Sequence, residues 1–123
     1  MRKLITIAAA TVLFLTGINS FAQSDTLTAE QAKTMINKEV IVKAMVAGSR
    51  LFDKDGNKTF LINLDKRYPQ SPLTVVLYDK AYKELNLQYE LEEKDIVVKG
   101  TISVYNDRPQ IIVNDVKNLK ILK

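Results

Sequence analysis

The stretch GTISVYNDRPQIIVND, from Gly100 to Asp115, holds two runs of alternating apolar residues separated by a short polar insert. Alternation with a period of two predicts a strand in each run. The polar insert between them predicts a hairpin with its loop near Asn106–Arg108. Pro109 stands at the start of the second strand, where a missing backbone N–H is tolerated. Gly100 lies inside the first strand, and a glycine there indicates a sharp bend or a bulge.

The first of these strands is predicted to be the longest in the chain, because its alternation extends back to Ile96. The second strand is predicted from Gln110 to Asn114, and a final segment, residues 116–123, adds further apolar positions. The inward-facing residues of the hairpin are predicted as Ile96, Val98, Gly100, Ile102 and Val104, then Ile111 and Val113, with Val97 and Tyr105 among the outward-facing ones.

Three more strands are predicted ahead of the hairpin. The first begins at Glu39 and runs into Gly48–Phe52, and Asp53–Lys58 forms a turn rich in residues that tolerate positive φ. The second, Thr59–Leu64, does not alternate cleanly, so its two faces cannot be assigned. Irregular chain with two prolines follows, and the third strand is Leu73–Tyr78. The first strand is predicted to turn one row inward: Val40, Val42, Ala44 and Val46.

Two short helices are also predicted. Thr28 and Gln31 have the spacing of a capping box, which predicts a helix over about residues 29–37. Ala32, Met35 and Ile36 would share one of its faces. Asp79 is predicted to be the N-cap of a second helix, which Ala81 and Leu85 attach to the core.

The order of strand, strand, strand, helix, strand, strand is typical of the OB-fold. The fold class predicted is therefore all-β with one or two short helices, as a five-stranded Greek-key OB-fold barrel. Three blocks within residues 28–122 carry a resemblance to known domains: Asn37-Lys38, Val40, Val42, Ala44 and Val46; Phe60-Leu61, Asn63 and Tyr68-Pro69; Val98, Gly100, Ile102, Tyr105, Arg108-Pro109-Gln110, Ile111 and Val113. In these blocks the chain resembles small OB-fold domains that bind nucleic acid, some of which are exported or joined to secreted nucleases. The first block departs from that family at Ala44, where such domains often carry glycine. A second similar group is the periplasmic bacterial OB-fold proteins, whose ligands are varied.

The chain starts with the pattern of a secretory signal peptide. A short basic start precedes the apolar run Leu4–Leu15, and Ser20-Phe21-Ala22 fits the small-residue rule for cleavage. Residues 1–22 are therefore predicted to be removed, and residues 23–123 to form a single periplasmic or secreted domain without a membrane anchor. The chain has no cysteine and no histidine, which excludes a thiol nucleophile, a Ser–His pair and a zinc site of the usual kind. No motif pairs an acid with a base, so an enzyme is not expected, and neither a cofactor nor a metal is predicted.

Basic and aromatic residues cluster in three segments that the OB-fold places beside its ligand face. Such residues can stack on bases and neutralise phosphates. Residues 43–68 hold six basic and three acidic side chains, whereas residues 79–95 hold three basic and six acidic ones. The predicted nucleic-acid-binding residues are Arg50, Phe52 and Lys58; Lys66, Arg67 and Tyr68; and Tyr105, Asn106 and Arg108.

Each of these residues also has a purely structural interpretation. Arg50 and Lys58 could solvate a hairpin, Tyr68 could pack on the barrel, and Arg108 could bond either Asp107 or a loop carbonyl. Three functions stay open at this point. The first is weak binding of single-stranded DNA or RNA without sequence preference. The second is a periplasmic interaction module for a small molecule, a glycan or another exported protein, which the acidic segment 79–95 favours. The third is an accessory domain of a separate hydrolase.

Overall fold

A computed structural model of the chain describes residues 26–122, so the predicted signal peptide lies outside the described residues. The structure is mostly β, with two short helices and one 3₁₀ turn. The elements are β1 (Thr26–Leu27), α1 (Ala29–Ala32), β2 (Glu39–Lys54), β3 (Asn57–Leu64), β4 (Leu73–Tyr78), α2 (Asp79–Leu85), β5 (Asp95–Tyr105), β6 (Arg108–Ile112), the 3₁₀ turn Val116–Asn118 and β7 (Leu119–Ile121).

Five strands form a closed ring of hydrogen-bonded pairs in a mixed sheet. The neighbours around the ring are β2, β3, β4, β6 and β5, and β5 pairs in turn with β2. Four of these pairs are antiparallel, and β4 with β6 is parallel. The short strands β1 and β7 add to β2 and β5. One strand can serve two neighbours because β2 is long and its register shifts between Val46 and Gly48.

The apolar core lies inside this ring. The predicted inward row of β2 is confirmed, since Val40, Val42, Ala44 and Val46 are all buried. The faces of β3, which the sequence left open, are now clear, because Phe60, Ile62 and Leu64 are buried in the same core. The core also includes Leu73, Val75 and Leu77 of β4, Ile96, Val98 and Ile102 of β5, Ile111 and Val113 from β6 and the residues after it, and Ala29, Ala32, Ala81, Leu91 and Leu119 from the helices, a loop and β7.

β5 changes partner halfway along its length, and Gly100 lies at that change. Residues up to Thr101 pair with β2, whereas Ile102 and later residues pair with β6. A Cβ atom on Gly100 would lie 2.5 Å from Cγ2 of Ile111. The glycine is therefore required by the close approach of β6, which is a more specific reason than the predicted bend.

One inward–outward assignment on β5 was wrong, and one outward-facing residue is buried. Val97 faces outward as predicted, on the face that it shares with its cross-strand neighbours Lys43 of β2 and Lys120 of β7, but it is buried between them. Val104, predicted to face inward, is 49% exposed, because it lies one residue from the hairpin turn, past the point where the core ends. Local alternation cannot register either effect, since both depend on which strands lie alongside.

Both hairpin turns are two-residue turns with positive φ at each central residue. The β5–β6 turn is Asn106–Asp107, with φ of 52° and 63°, so the predicted hairpin is confirmed and Arg108 belongs to β6 rather than to the loop. The β2–β3 turn is Asp55–Gly56, and its Gly56 N–H donates to Asp53 Oδ1 at 3.0 Å. Such turns match the right-handed twist of the strands that they connect.

The two helices correspond to the prediction only in part. The capping box of Thr28 and Gln31 is present, but α1 ends at Ala32 instead of continuing to residue 37. Asp79 is not the N-cap of α2; it is the first helical residue, and Tyr78 stands at the cap without a side-chain bond. The Asp79 carboxylate instead accepts the Lys58 N–H of β3. Neither helix among residues 26–122 is long and apolar enough to cross a membrane.

We expect Gly100→Ala to destabilise the protein by about 1–3 kcal/mol, because the new methyl group would overlap Ile111 in a packed core. The measurement is the free energy of unfolding from urea denaturation. Gly48→Ala is the matched control, because a Cβ there would meet only the flexible Arg67 side chain at 3.7 Å. Equal effects of the two substitutions would contradict the role given to the Gly100–Ile111 contact.

Candidate ligand-binding site

The face of the sheet opposite the core carries three rows of side chains that run across the strands. Cross-strand neighbours share a face, so each row follows from the register. One row is Phe52, Thr59 and Tyr78; the next is Arg50, Leu61 and Val76; the third is Gly48, Asn63, Thr74 and Gln110. These rows form the floor of a cleft.

The cleft has a volume of about 430 Å³, within the usual range of ligand pockets. Two loops border its floor: the segment after β3, which supplies Tyr68, and the tip of the β5–β6 hairpin. We call this site the aromatic cleft, after its four aromatic rings. Its lining consists of Arg50, Phe52, Thr59, Leu61, Asn63, Tyr68, Thr74, Val76, Tyr78, Tyr105, Asn106, Arg108, Pro109 and Gln110.

The rings of the aromatic cleft are unusually accessible for large apolar groups. Phe52, Tyr68, Tyr78 and Tyr105 are between 46% and 65% exposed, although folding normally covers at least one face of such rings. Phe60 makes the contrast clear, since it is buried in the core against Tyr82. Exposed rings clustered in one concave place are typical of a binding surface.

Two arginines supply the charge of the aromatic cleft. The Arg50 guanidinium carbon lies 5.1 Å from the centre of the Phe52 ring, and that of Arg108 lies 4.6 Å from the centre of the Tyr68 ring. No carboxylate of residues 26–122 lines the cleft. Within residues 26–122 neither arginine has an acidic side chain in ion-pair distance. The cleft is therefore electropositive, and each of its two guanidinium groups lies over an aromatic ring.

Arg108 also links the two bordering loops. Its Nη1 donates to the carbonyl oxygen of Pro69 at 2.8 Å, while its guanidinium covers the ring of Tyr68. The structure therefore confirms the interpretation that Arg108 bonds a loop carbonyl. This contact fixes Tyr68 beside the hairpin tip and leaves the other guanidinium N–H groups available for a ligand.

Six of the nine residues predicted to bind nucleic acid line the cleft: Arg50, Phe52, Tyr68, Tyr105, Asn106 and Arg108. Lys58, Lys66 and Arg67 do not. The Lys58 ammonium is held 3.1 Å from Asp53 Oδ2, and Arg67 lies over Gly48 at the edge of the floor. Lys66 is exposed on the segment after β3.

The cleft floor was missed by the sequence analysis. Thr59, Leu61, Asn63, Thr74, Val76, Tyr78 and Gln110 all line the cleft and were not among the predicted site residues. A signal existed on β4, where Thr74, Val76 and Tyr78 alternate with the buried residues Leu73, Val75 and Leu77. On β3 the signal was weak, because apolar residues stand on both faces of that strand.

Comparison with known protein families finds no family model that matches this chain. No curated protein matches its sequence either.

The Asp79 carboxylate at the start of α2 bonds to Lys58 near the beginning of β3, next to the cleft. The pKa of Asp79 lies below its usual value because the Lys58 N–H donates to its Oδ1 at 3.0 Å and the Lys83 ammonium lies 3.0 Å from its Oδ2. The pKa of Asp53 is lowered too, mainly by the Lys58 ammonium and then by the Gly56 N–H. Both carboxylates stabilise the fold in their ionised form.

We expect the contribution of Asp79 to be complete above its unfolded-state pKa of about 3.9 and to be lost as the pH falls through its lower folded-state value. Asp79→Asn should therefore flatten the acid side of a plot of melting temperature against pH, measured by circular dichroism. Asp55→Asn is the control, because that turn residue has no side-chain hydrogen bond or ion pair among the described residues. An acid side that Asp79→Asn leaves unchanged would contradict this assignment.

Proposed function

We propose that the protein is an exported OB-fold binding protein that binds single-stranded nucleic acid weakly, and without strong sequence preference, in the aromatic cleft. The observation that carries the proposal is the lining of the cleft: four exposed rings and two arginines, with no carboxylate. Rings stack on bases of any sequence, and cations neutralise phosphates. The proposal that the protein is exported is based only on the signal-peptide pattern of residues 1–22.

The ring of strands supports assignment to the OB-fold. In that fold five strands close with the first paired to the fourth, and ligands lie on the face of strands two and three between two bordering loops. Here β2 to β6 would be those five strands, and β2 pairs with β5. The aromatic cleft lies on β3 and β4 beside the β5–β6 hairpin, where such a ligand face is expected.

The charge distribution favours this ligand over a cationic one. The acidic residues of segment 79–95 do not line the cleft. An electropositive lining with accessible rings suits single-stranded nucleic acid, which combines negative phosphates with flat bases. The modest number of arginines fits weak binding, since each phosphate contact adds only a part of the affinity.

An interaction module for another exported protein is the second candidate, and the acidic segment favours it. Glu90 and Glu93 are exposed there beside Tyr89, whose ring lies 5.0 Å from the Lys94 ammonium. Charge reversal of Glu90 and Glu93 should leave nucleic-acid binding unchanged if the cleft is the site. Loss of binding to a partner protein in that variant would instead favour the second candidate.

We expect labelled single-stranded DNA to bind the purified protein in a fluorescence anisotropy titration. Tyr105→Ala should weaken binding roughly 5- to 150-fold, because one stacked base contributes about 1–3 kcal/mol. Arg108→Ala should weaken binding as well and should also reduce its dependence on salt. If Arg50 and Arg108 each contact one phosphate, the logarithm of the binding constant should fall against the logarithm of the salt concentration with a slope of about −1.4.

Tyr89→Ala is the matched control for Tyr105→Ala. Tyr89 is also an exposed tyrosine beside a cation, but it lies outside the cleft. Arg67→Ala tests whether the site extends past the cleft edge. Absence of binding at tens of micromolar protein in low salt, or affinity that salt does not change, would overturn the proposed function.

A further inference from the structure

Asn63 is a buried polar residue on the floor of the aromatic cleft. Only 8% of its surface is exposed, and it is the one polar side chain classed as buried among residues 26–122. It lies in the third row of the floor, between Gly48 of β2 and Thr74 of β4. An asparagine at a buried sheet position is costly unless its polar atoms have partners.

The carbonyl half of this amide is fully used. Asn63 Oδ1 accepts the Ser71 hydroxyl at 3.2 Å and the Thr74 hydroxyl at 3.0 Å. A carbonyl oxygen has two lone pairs, so these two donors occupy it. The two hydroxyls therefore hold the amide by its oxygen.

The amino half is not used in the same way. Among the described residues 26–122, Asn63 Nδ2 donates no hydrogen bond to another side chain or to the backbone. A buried donor left without a partner destabilises a fold, and such groups are rare in native proteins. Because Asn63 lines the cleft, its N–H groups are placed to donate to water or to an acceptor on a ligand bound there.

We propose that Asn63 reads a bound base by donating from Nδ2 to a carbonyl oxygen on the edge of that base. The inference rests on the proposed function and adds to it a preference at one nucleotide position. Asparagine usually recognises adenine with its donor and acceptor together. Here Oδ1 is occupied, so Asn63 offers a donor alone, which suits the carbonyl oxygens of thymine, uracil, cytosine or guanine.

Rings suited to stack on a base line the same cleft as Asn63. Phe52 and Tyr78 lie at one end of the rows, two residues along their strands from Arg50 and Val76. Tyr105 and Arg108 stand at the hairpin tip, paired across the turn. A base stacked on one of these rings therefore lies in the cleft that Asn63 also lines.

The test compares an oligothymidylate of about 12 nucleotides with the same oligomer in which 2,4-difluorotoluene replaces every thymine. The substitute keeps the shape and stacking surface of thymine but replaces both carbonyl groups with poorly accepting fluorines. We expect the wild-type protein to bind the thymine oligomer about tenfold more tightly, because the analogue leaves the buried donor without a partner.

Asn63→Asp is the decisive variant, measured at about pH 8 so that the carboxylate is ionised. It keeps an oxygen for Ser71 and Thr74 and replaces the amino donor with an acceptor. We expect the preference for thymine to disappear. Asn57→Asp is the matched control, with the same chemical change on the same strand outside the cleft, and it should keep the preference. If Asn63→Asp does not fold by circular dichroism, Asn63→Ser replaces it.

The outcomes separate this inference from the proposed function. If the wild-type protein binds both oligomers with equal affinity, the role of Asn63 is overturned. The proposed nucleic-acid-binding function would be unaffected by that result. A preference for thymine that Asn63→Asp retains would also overturn the role of Asn63. Absence of binding to either oligomer would overturn the proposed function, and the reading of a base by Asn63 with it.

Discussion

The contact between Gly100 and Ile111 is the constraint on which the rest of the structure depends. It lets β5 leave β2 and meet β6 within a single strand, and this exchange closes the ring of five strands. Closure places the apolar residues of every strand inside one core. The opposite face of β2, β3, β4 and β6 is then held in a fixed register, so three rows of side chains become the floor of one cleft. The position of the site follows from how the ring closes.

The aromatic cleft combines rigid and adjustable parts. Its floor comes from paired strands, where side-chain positions are set by the ladder. Its border comes from a loop and a hairpin tip, which Arg108 joins through the Pro69 carbonyl and the Tyr68 ring. A surface of this kind can accept a flat group without reorganising its floor. In the proposed function, the two arginines would neutralise the negative charge attached to that group.

The local elements of the fold could be predicted from the sequence, because each depends on near neighbours. The strands, the β5–β6 hairpin, the capping box of Thr28 and the inward row of β2 all follow from spacing and turn chemistry. The parallel pairing of β4 with β6 and the burial of Val97 could not be predicted, since they depend on strands far apart in the chain. Asp79 was misassigned as an N-cap because its true partner, the Lys58 N–H, lies on a different strand.

The candidate site, like the fold, could be predicted from the sequence only in part. Residues at its border, such as Tyr105 and Arg108, flank the β5–β6 turn, where polar and aromatic residues stand out in the sequence. The floor residues of β4 alternate with core residues and could have been recognised, whereas those of β3, Asn63 among them, stand in a strand with apolar residues on both faces. Which face of β3 is inside became clear only once its pairing with β4 was known.

The central claim is that a ligand contacts the outward face of β2, β3, β4 and β6. The most direct test is a titration of ¹⁵N-labelled protein with oligothymidylate, followed by amide chemical shifts in two-dimensional NMR spectra. The account predicts the largest shift changes at residues such as Arg50, Leu61, Asn63 and Val76, with little change at Tyr89–Asp95 or in β7. Changes concentrated on the acidic segment, or no changes at saturating oligonucleotide, would contradict it.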